Sequence, residues 1–504
     1  MLTLRKYQSD LLSEVLMAMK KHRHLIVQLG TGGGKTLIFS EIARRSSLKG
    51  SRILILSDRT ELLSQSDTSL RNLGVTAEFI SPKHTKVPAS SVVVAMNQTL
   101  KRRYLKKEWA EYIKSVDLII IDECHISETE YLFESGLISK AWVLGFSATP
   151  IRSGHQRQLG LDYSAIVVGE STKNLIKQGY LVPARYFTID APDLSKVEVD
   201  RKDGDYKSSQ LSALFSTPDR FSGLVSQYKK ICPNAQAICF CASQANAIQT
   251  CIELNNAGIS AKFLISGFSK DDENYQLLQD NLKYTGKRAD VIAGYKSGDF
   301  KVLVNAKILT TGFDAPNTQA IILYSATLSM ALYRQMLGRG SRPFGDKKDF
   351  FCLDFGGNVK RHGRYEDSIG WHLWHDDSGG NGVVMTKECP KDKKDKEGKT
   401  GCGRLIPISA QFCPFCRYIF ATEKEIRDAE LVEIIDGKFK FKDMSALQLK
   451  AYAELHGNKM AWVYRMLYVG GGEAGLRKGL KELGYSGKFI WLTLERFKKE
   501  KKIN

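Results

Sequence analysis

His24–Leu29, HLIVQL, runs into Gly30–Thr36, GTGGGKT, and then into LIFSEIARR. An apolar run rich in Ile and Val fits a strand buried on both faces of a parallel sheet, and LIFSEIARR has helical periodicity. The loop between them can turn its backbone N–H groups toward phosphate oxygens. Gly30, Thr31, Gly32, Gly33 and Gly34 make the turn, Lys35 reaches the outer phosphates, and Thr36 is placed to ligate Mg²⁺ at a helix N-terminus. The strict G-x4-G-K-T spacing asks for glycine at 29, where the chain has Leu29.

Outward from this loop the same grammar repeats. RILILS, SVVVAM, VDLIIID and KAWVLGF are further short apolar runs separated by amphipathic stretches, and Leu11, Leu12, Val15, Leu16 and Met19 fall on one face of a preceding helix. These predict a first α/β lobe over 1–190. A polar stretch, 191–219, reads as an inter-lobe linker. QAICFC, KFLISG, KVLVNA, QAIILYS and DFFCLDF then predict a second parallel-sheet lobe over 220–357. Residues 358–385 read as a connection, 386–420 as a cysteine-bearing module and 421–504 as a small basic helical domain.

The 504 residues carry 74 Lys plus Arg against 55 Asp plus Glu, a net charge of +19. A field of that size attracts polyanions, so nucleic acid is the expected partner. No run approaches the roughly 18 apolar residues of a membrane span, which argues against a membrane partner. MLTLRKYQSDLLSEV lacks a basic segment followed by an apolar one, and this predicts a cytoplasmic protein. Of ten cysteines, the six from Cys124 to Cys352 lie mostly in apolar stretches and read as reduced core thiols.

Four apolar residues, Leu118–Ile121, lead into Asp122, Glu123, Cys124 and His125. Paired acids at a strand end suit a nucleotide site: Asp122 can hold Mg²⁺ while Glu123 orients and deprotonates the attacking water.

In this setting the ordered motifs resemble superfamily 2 helicases and translocases. They are LRKYQ (4–8), GTGGGKT, SDRTELLSQ (57–65), VAMNQTL (94–100), DECH (122–125), SATP (147–150), QAICFC (236–241), TTGFDAP (310–316) and QMLGRGSR (335–342). The resemblance implies two tandem RecA-like lobes and ATP as substrate. It assigns Arg5 and Gln8 to the adenine, with Gly312 and Asp314 on the second-lobe face of the cleft. Gln335, Arg339 and Arg342 would reach across to the γ-phosphate, His125, Ser147 and Thr149 would couple the ATP site to the track, and Arg59, Gln98, Thr99 and Thr310 would hold the nucleic-acid backbone. Gln335 and TGFDAP are closer to DNA helicases of phages, restriction systems and repair than to RNA helicases. DNA is therefore favoured over RNA, and a bacterial cell or phage-infected host over other settings.

Cys389, Cys402, Cys413 and Cys416, the last two in CPFC, have the makings of a tetrahedral Zn²⁺ site in a zinc ribbon with a stretched first half. Nothing outside the motor has the spacing of a nuclease, and a monomer is expected. Unwinding, translocation, annealing and branch migration all remain open at this point. So do two alternatives, an RNA helicase and a nucleic-acid-binding zinc-ribbon scaffold with a vestigial motor.

Overall fold

Residues 4–373 are described by a computed structural model, apart from 59, 153–156, 189–192, 201–203, 307, 310–312, 368 and 372. It also describes 386–388, 398–401, 405–407, 432–433, 460–483 and single positions up to 494. The five apolar runs of the first half form β1 (His24–Gln28), β2 (Ile53–Ser57), β4 (Val92–Met96), β5 (Leu118–Asp122) and β6 (Trp142–Ser147). Two shorter strands, β3 (Glu78–Ile80) and β7 (Ala165–Val168), complete a parallel sheet of order β3-β4-β2-β5-β6-β1-β7.

Helices cover both faces of this sheet. Leu25, Val27, Ile53 and Ile55 point to one side, against Leu11 and Val15 of α1 (Lys6–Met19) and Ile38, Phe39 and Ile42 of α2 (Lys35–Ser47). Ile26, Leu54, Leu56 and Ile119 point to the other, against Trp109, Tyr112 and Ile113. With no face left to water, the strands need no polar alternation, which is why they read as unbroken apolar runs. The α1 stripe is narrower than expected, because Leu16 stands 39% exposed.

The second sheet contains β8 (Ala184–Thr188), β9 (Ala237–Cys241), β10 (Ala261–Leu264), β11 (Val302–Asn305), β12 (Ala320–Tyr324) and β13 (Phe350–Asp354). After a short antiparallel ladder, β14 (Thr386–Glu388) with β15 (Leu405–Pro407), the chain returns to this sheet as β16 (Val432–Glu433). The order is β10-β11-β9-β12-β13-β8-β16. Numbered from each sheet's first strand, β8 to β13 take the places of β1 to β6 and β16 takes that of β7. The two lobes therefore share one topology, and only β16 is antiparallel.

This equivalence corrects the predicted boundaries. β8 occupies the place of β1, so the second lobe begins at 184 and not at 220. The supposed linker 191–219 belongs to it as well. Leu194, Tyr206, Leu211 and Phe215 sit in the second-lobe core, and buried Asp205 accepts from the Thr327 hydroxyl at 2.6 Å and the Leu328 amide at 2.7 Å. The start of the supposed connection is also integral: Tyr333 donates to Gly363 O at 2.7 Å, and Tyr365 to Val182 O at 2.6 Å. β16 likewise removes Val432 and Glu433 from the separate C-terminal domain.

Of the C-terminal unit, a helix over Met460–Glu482 is described, with a small core of Val463, Leu467, Leu476, Leu480, Ile490 and Leu494. Leu467 lies against Gly475 and Gly479, a contact that a straight helix cannot make, so the axis bends sharply between them. The four cysteines proposed as zinc ligands lie outside the described residues. Among the described residues the other six cysteines are buried and free, and no helix is long and apolar enough to cross a membrane.

Candidate active site

Sheet order assembles the site. β5, β6 and β1 are consecutive, so their carboxyl ends bring DECH, SATP and the phosphate loop side by side, with Gln28 paired to Ser147 and Asp122 to Phe146. Ligands of open α/β sheets bind at this edge. Leu29 N donates to Ser147 O at 3.1 Å, and Gln28 Nε2 to Ala148 O at 3.0 Å, so the loop and SATP share one frame.

Inside the loop, Gly33 N donates to Gly30 O at 2.9 Å, and Gly32 and Gly34 both have φ of +85°. Leu29, the departure from the usual spacing, is fully buried. Its side chain turns inward beneath Gly33, where any Cβ would come within 2.7 Å of Leu29 Cγ. From α1, the Tyr7 hydroxyl and Gln8 Nε2 both donate to Gly33 O, at 2.9 and 3.1 Å. Gly34 has no room for a Cβ, which would run into Gln8 Nε2. Gln8 Oε1 also accepts from Arg5 N at 2.9 Å, and the Arg5 guanidinium stacks 4.6 Å over Tyr180. The N-terminal motif thus braces the phosphate loop, a task that its assignment to adenine did not anticipate.

Lys35 Nζ lies 3.4 Å from Glu123 Oε1. Glu123 adopts φ of +49°, an uncommon backbone for a residue with a side chain. Burial pushes its carboxyl upward, but the opposing charges, Lys35 foremost, outweigh this and hold it below the ordinary glutamate range. Asp122 goes the other way: burial and the charge of Glu123 raise it to about 7. Burial lowers His125 to about 4, so its ring is neutral at pH 7 and its 3.5 Å approach to Glu123 is no ion pair. His125 Nδ1 lies 2.9 Å from Ser147 Oγ, which accepts from Thr149 N at 3.0 Å. Thr149 is buried, and its hydroxyl has no hydrogen-bond partner among the described residues.

The second lobe meets this floor. Gln335 lies on the helix Met330–Leu337, and its Nε2 is 3.4 Å from His125 Nε2. Gly338 packs so closely on Thr31 that a Cβ would run into its methyl, and Val182 N donates to Ser341 O at 2.7 Å. Arg339 donates to Phe313 O at 2.5 Å, and its charge is among those that lower Glu123. Arg342 pairs with the Asp314 carboxylate, so in this structure both are engaged within the second lobe. The structure therefore brings together Lys35, Asp122, Glu123, His125, Ser147, Thr149, Gln335 and Arg339. Of the track candidates, Gln98 is exposed and Thr99 buried, while Arg59 and Thr310 lie outside the described residues, as does Gly312 of the cleft candidates.

Arg152 was missed. Only 9% exposed, its guanidinium donates to Cys124 O at 3.3 Å, Ser127 O at 3.1 Å and Glu130 Oε1 at 2.7 Å, and so clamps the turn that carries Glu123. The available signal was a single charge two residues after SATP.

Asp122 suits a cation, since burial leaves its negative charge poorly compensated. In the absence of Mg²⁺ its ionisation opposes folding: the folded-state value of about 7 lies above the unfolded value, so stability falls as pH rises toward 7. Asp122→Asn should therefore match wild type in melting temperature near pH 4 and exceed it increasingly up to pH 7, with a constant gap above. A gap that does not change with pH would contradict this. Thermal melts in chelator across that range make the comparison.

The comparisons with known proteins follow the same division. Residues 1–152 match the family "Type III restriction enzyme, res subunit", and 223–343 match "Helicase conserved C-terminal domain". The chain is 26% identical to a "51.5 kDa protein" of a Lactococcus phage, over 83% of this chain and 84% of that one. It is 30% identical to a Saccharomyces cerevisiae protein named "Putative ATP-dependent helicase IRC3", over 70% of this chain but 51% of the yeast protein, so it spans about half of that relative's length. Among solved structures, "a putative HsdR subunit of a type I restriction enzyme from Vibrio vulnificus YJ016" shares the fold, with a TM-score of 0.53 at 22% identity over 71% of this chain and 65% of that one. The first lobe thus matches a restriction-enzyme subunit family and the second a helicase C-terminal domain family, and the two lobes share one sheet topology.

Proposed function

We propose that the chain is an ATP-driven motor that translocates on or remodels DNA. The observation that carries this is the meeting of Lys35, Asp122, Glu123 and Arg339, contributed by both lobes, at one buried point. The loop amides and Lys35 would hold the outer phosphates. Thr36 and Asp122 would hold Mg²⁺, which shields phosphate charge when bound. Glu123, ionised at neutral pH, accepts the proton of the water that attacks the γ-phosphorus. Arg339 neutralises charge that spreads over the transferring group, which it can do only while the lobes are together. Hydrolysis removes the reason for closure, so each cycle closes and opens the lobes.

Three features support DNA as the track: the net charge of +19, the Gln335 and TGFDAP motifs, and the restriction-subunit family match in the first half. The test is ATP hydrolysis alone and with single-stranded, duplex and forked DNA and with RNA. DNA should stimulate most, and Glu123→Gln should lower kcat by about 10²- to 10⁴-fold while leaving ATP binding within a few-fold. Greater stimulation by RNA would make it an RNA helicase, and no stimulation by any nucleic acid would favour the scaffold.

Cys389, Cys402, Cys413 and Cys416 are proposed to bind one Zn²⁺. What supports this is their sequence pattern together with the antiparallel ladder of β14 and β15, which end one residue before Cys389 and begin three residues after Cys402. Elemental analysis should find about one zinc per chain, lost when Cys413 and Cys416 are both changed to Ser. Metal-free purified protein would refute the site.

A further inference from the structure

The carboxyl edge of the first sheet continues past the acid pair. Beyond β5 come β2 and then β4, so the residues that follow these strands are neighbours in space. Asp58 follows β2. Asn97 begins the short helix Asn97–Lys101 after β4, and Ser127 lies in the turn after Asp122 and Glu123. The Asp58 carboxylate accepts from both sides: from Asn97 Nδ2 at 3.0 Å on one oxygen, and from the Ser127 hydroxyl on the other. Ser127 Oγ is also 3.2 Å from Asp122 O. Asn97 donates to Glu128 O at 3.2 Å and accepts from the Tyr131 hydroxyl at 3.1 Å. Asn97 and Ser127 are each 1% exposed, so water cannot replace these partners. The two carboxyl oxygens here meet two donors from two other segments, which is the chemistry that ties three loops together.

We propose that Asp58, Asn97 and Ser127 are positioning residues that couple the ATP site to the nucleic-acid track. The inference rests on the reading of a nucleic-acid-stimulated ATPase. The turn carrying Glu123 and His125 is bonded through Ser127 to Asp58, and Asp58 is bonded to Asn97. The next residues in sequence are Arg59 and Gln98, both track candidates. A shift of the acid-pair turn on nucleotide binding or lobe closure therefore pulls on the heads of both track segments, and contact of the track with nucleic acid pulls back on the turn.

The chemistry of the pair gives the test. Asn97→Asp sets two carboxylates face to face. The exchange variant, Asp58→Asn with Asn97→Asp, restores the bond with its direction reversed: Asn at 58 donates to Asp at 97 and still accepts from Ser127, and Asp at 97 still accepts from Tyr131. Only the bond to Glu128 O is lost. Basal and DNA-stimulated kcat and the KM for ATP are measured for wild type, both single variants and the exchange, with thermal melts alongside. Asn97→Asp should keep basal kcat and KM within about twofold and lose about tenfold or more in stimulation, and the exchange should recover at least about a third of it. Full stimulation in Asn97→Asp overturns the proposal. So does an exchange no better than that single variant, or a parallel fall of basal and stimulated rates that follows the melting temperature. If no nucleic acid stimulates the wild type, the proposed function fails and the network with it, whereas a stimulated wild type with any of the other three results removes the network alone.

Discussion

Two carboxyl groups stand side by side at the end of β5, Asp122 buried and Glu123 partly so, and among the described residues Lys35 is the lysine that compensates them, 3.4 Å from Glu123. Such a pair is costly in an interior, because each charge loses water and repels the other. The two respond in opposite ways. Glu123 is held in its charged form by Lys35 and more distant cations, while Asp122 is pushed toward its neutral form. A floor with one firmly ionised acid and one awaiting a cation is matched to a substrate that brings phosphates and a metal ion. Much of the first lobe keeps these groups at that point: the order β5-β6-β1, the brace of Tyr7 and Gln8 on Gly33, and the Arg152 clamp on the acid-pair turn.

The second lobe uses the same topology for another task. The sequence directly after β8 has no glycine-rich GKT stretch, and the second lobe's contribution comes instead from the helix after β12 and the residues that follow it. Elements that look peripheral in sequence hold this helix. Asp205 caps the approach to it through Thr327 and Leu328, His362 stacks on Tyr333, and Gly363 accepts from the Tyr333 hydroxyl. Arg339 is thus delivered from a supported helix, which keeps an arginine useful at a phosphate by limiting its rotamer freedom. A scaffold without a working motor would have no need of this support.

The sequence made local features legible. Ten strands were visible as apolar runs because burial on both faces leaves a mark within five or six residues, the acid pair and Lys35 were visible through their place at strand ends, and Gln335 only through the family resemblance. What stayed hidden depends on distant pairing. β8 holds Arg185 and Thr188 within ARYFT, too polar to look central, and its place is set by β13, far along the chain. β3, β7 and β16 have four residues or fewer and stand toward the margins of their sheets. Arg152 and Asp205 look like ordinary surface charges until the carbonyls, amides and hydroxyls they meet are known. Thr99, whose motif points to the track, has a buried side chain, which its place in the motif did not reveal.

The central claim is that catalysis requires a group from the second lobe at a site built by the first. Single-turnover hydrolysis by Arg339→Ala, compared with wild type at saturating ATP and DNA, tests it most directly. A loss of about 10³-fold or more in the rate of the chemical step, with ATP affinity changed only a few-fold, is the predicted result. A rate within a few-fold of wild type would contradict it, and would place charge stabilisation wholly within the first lobe.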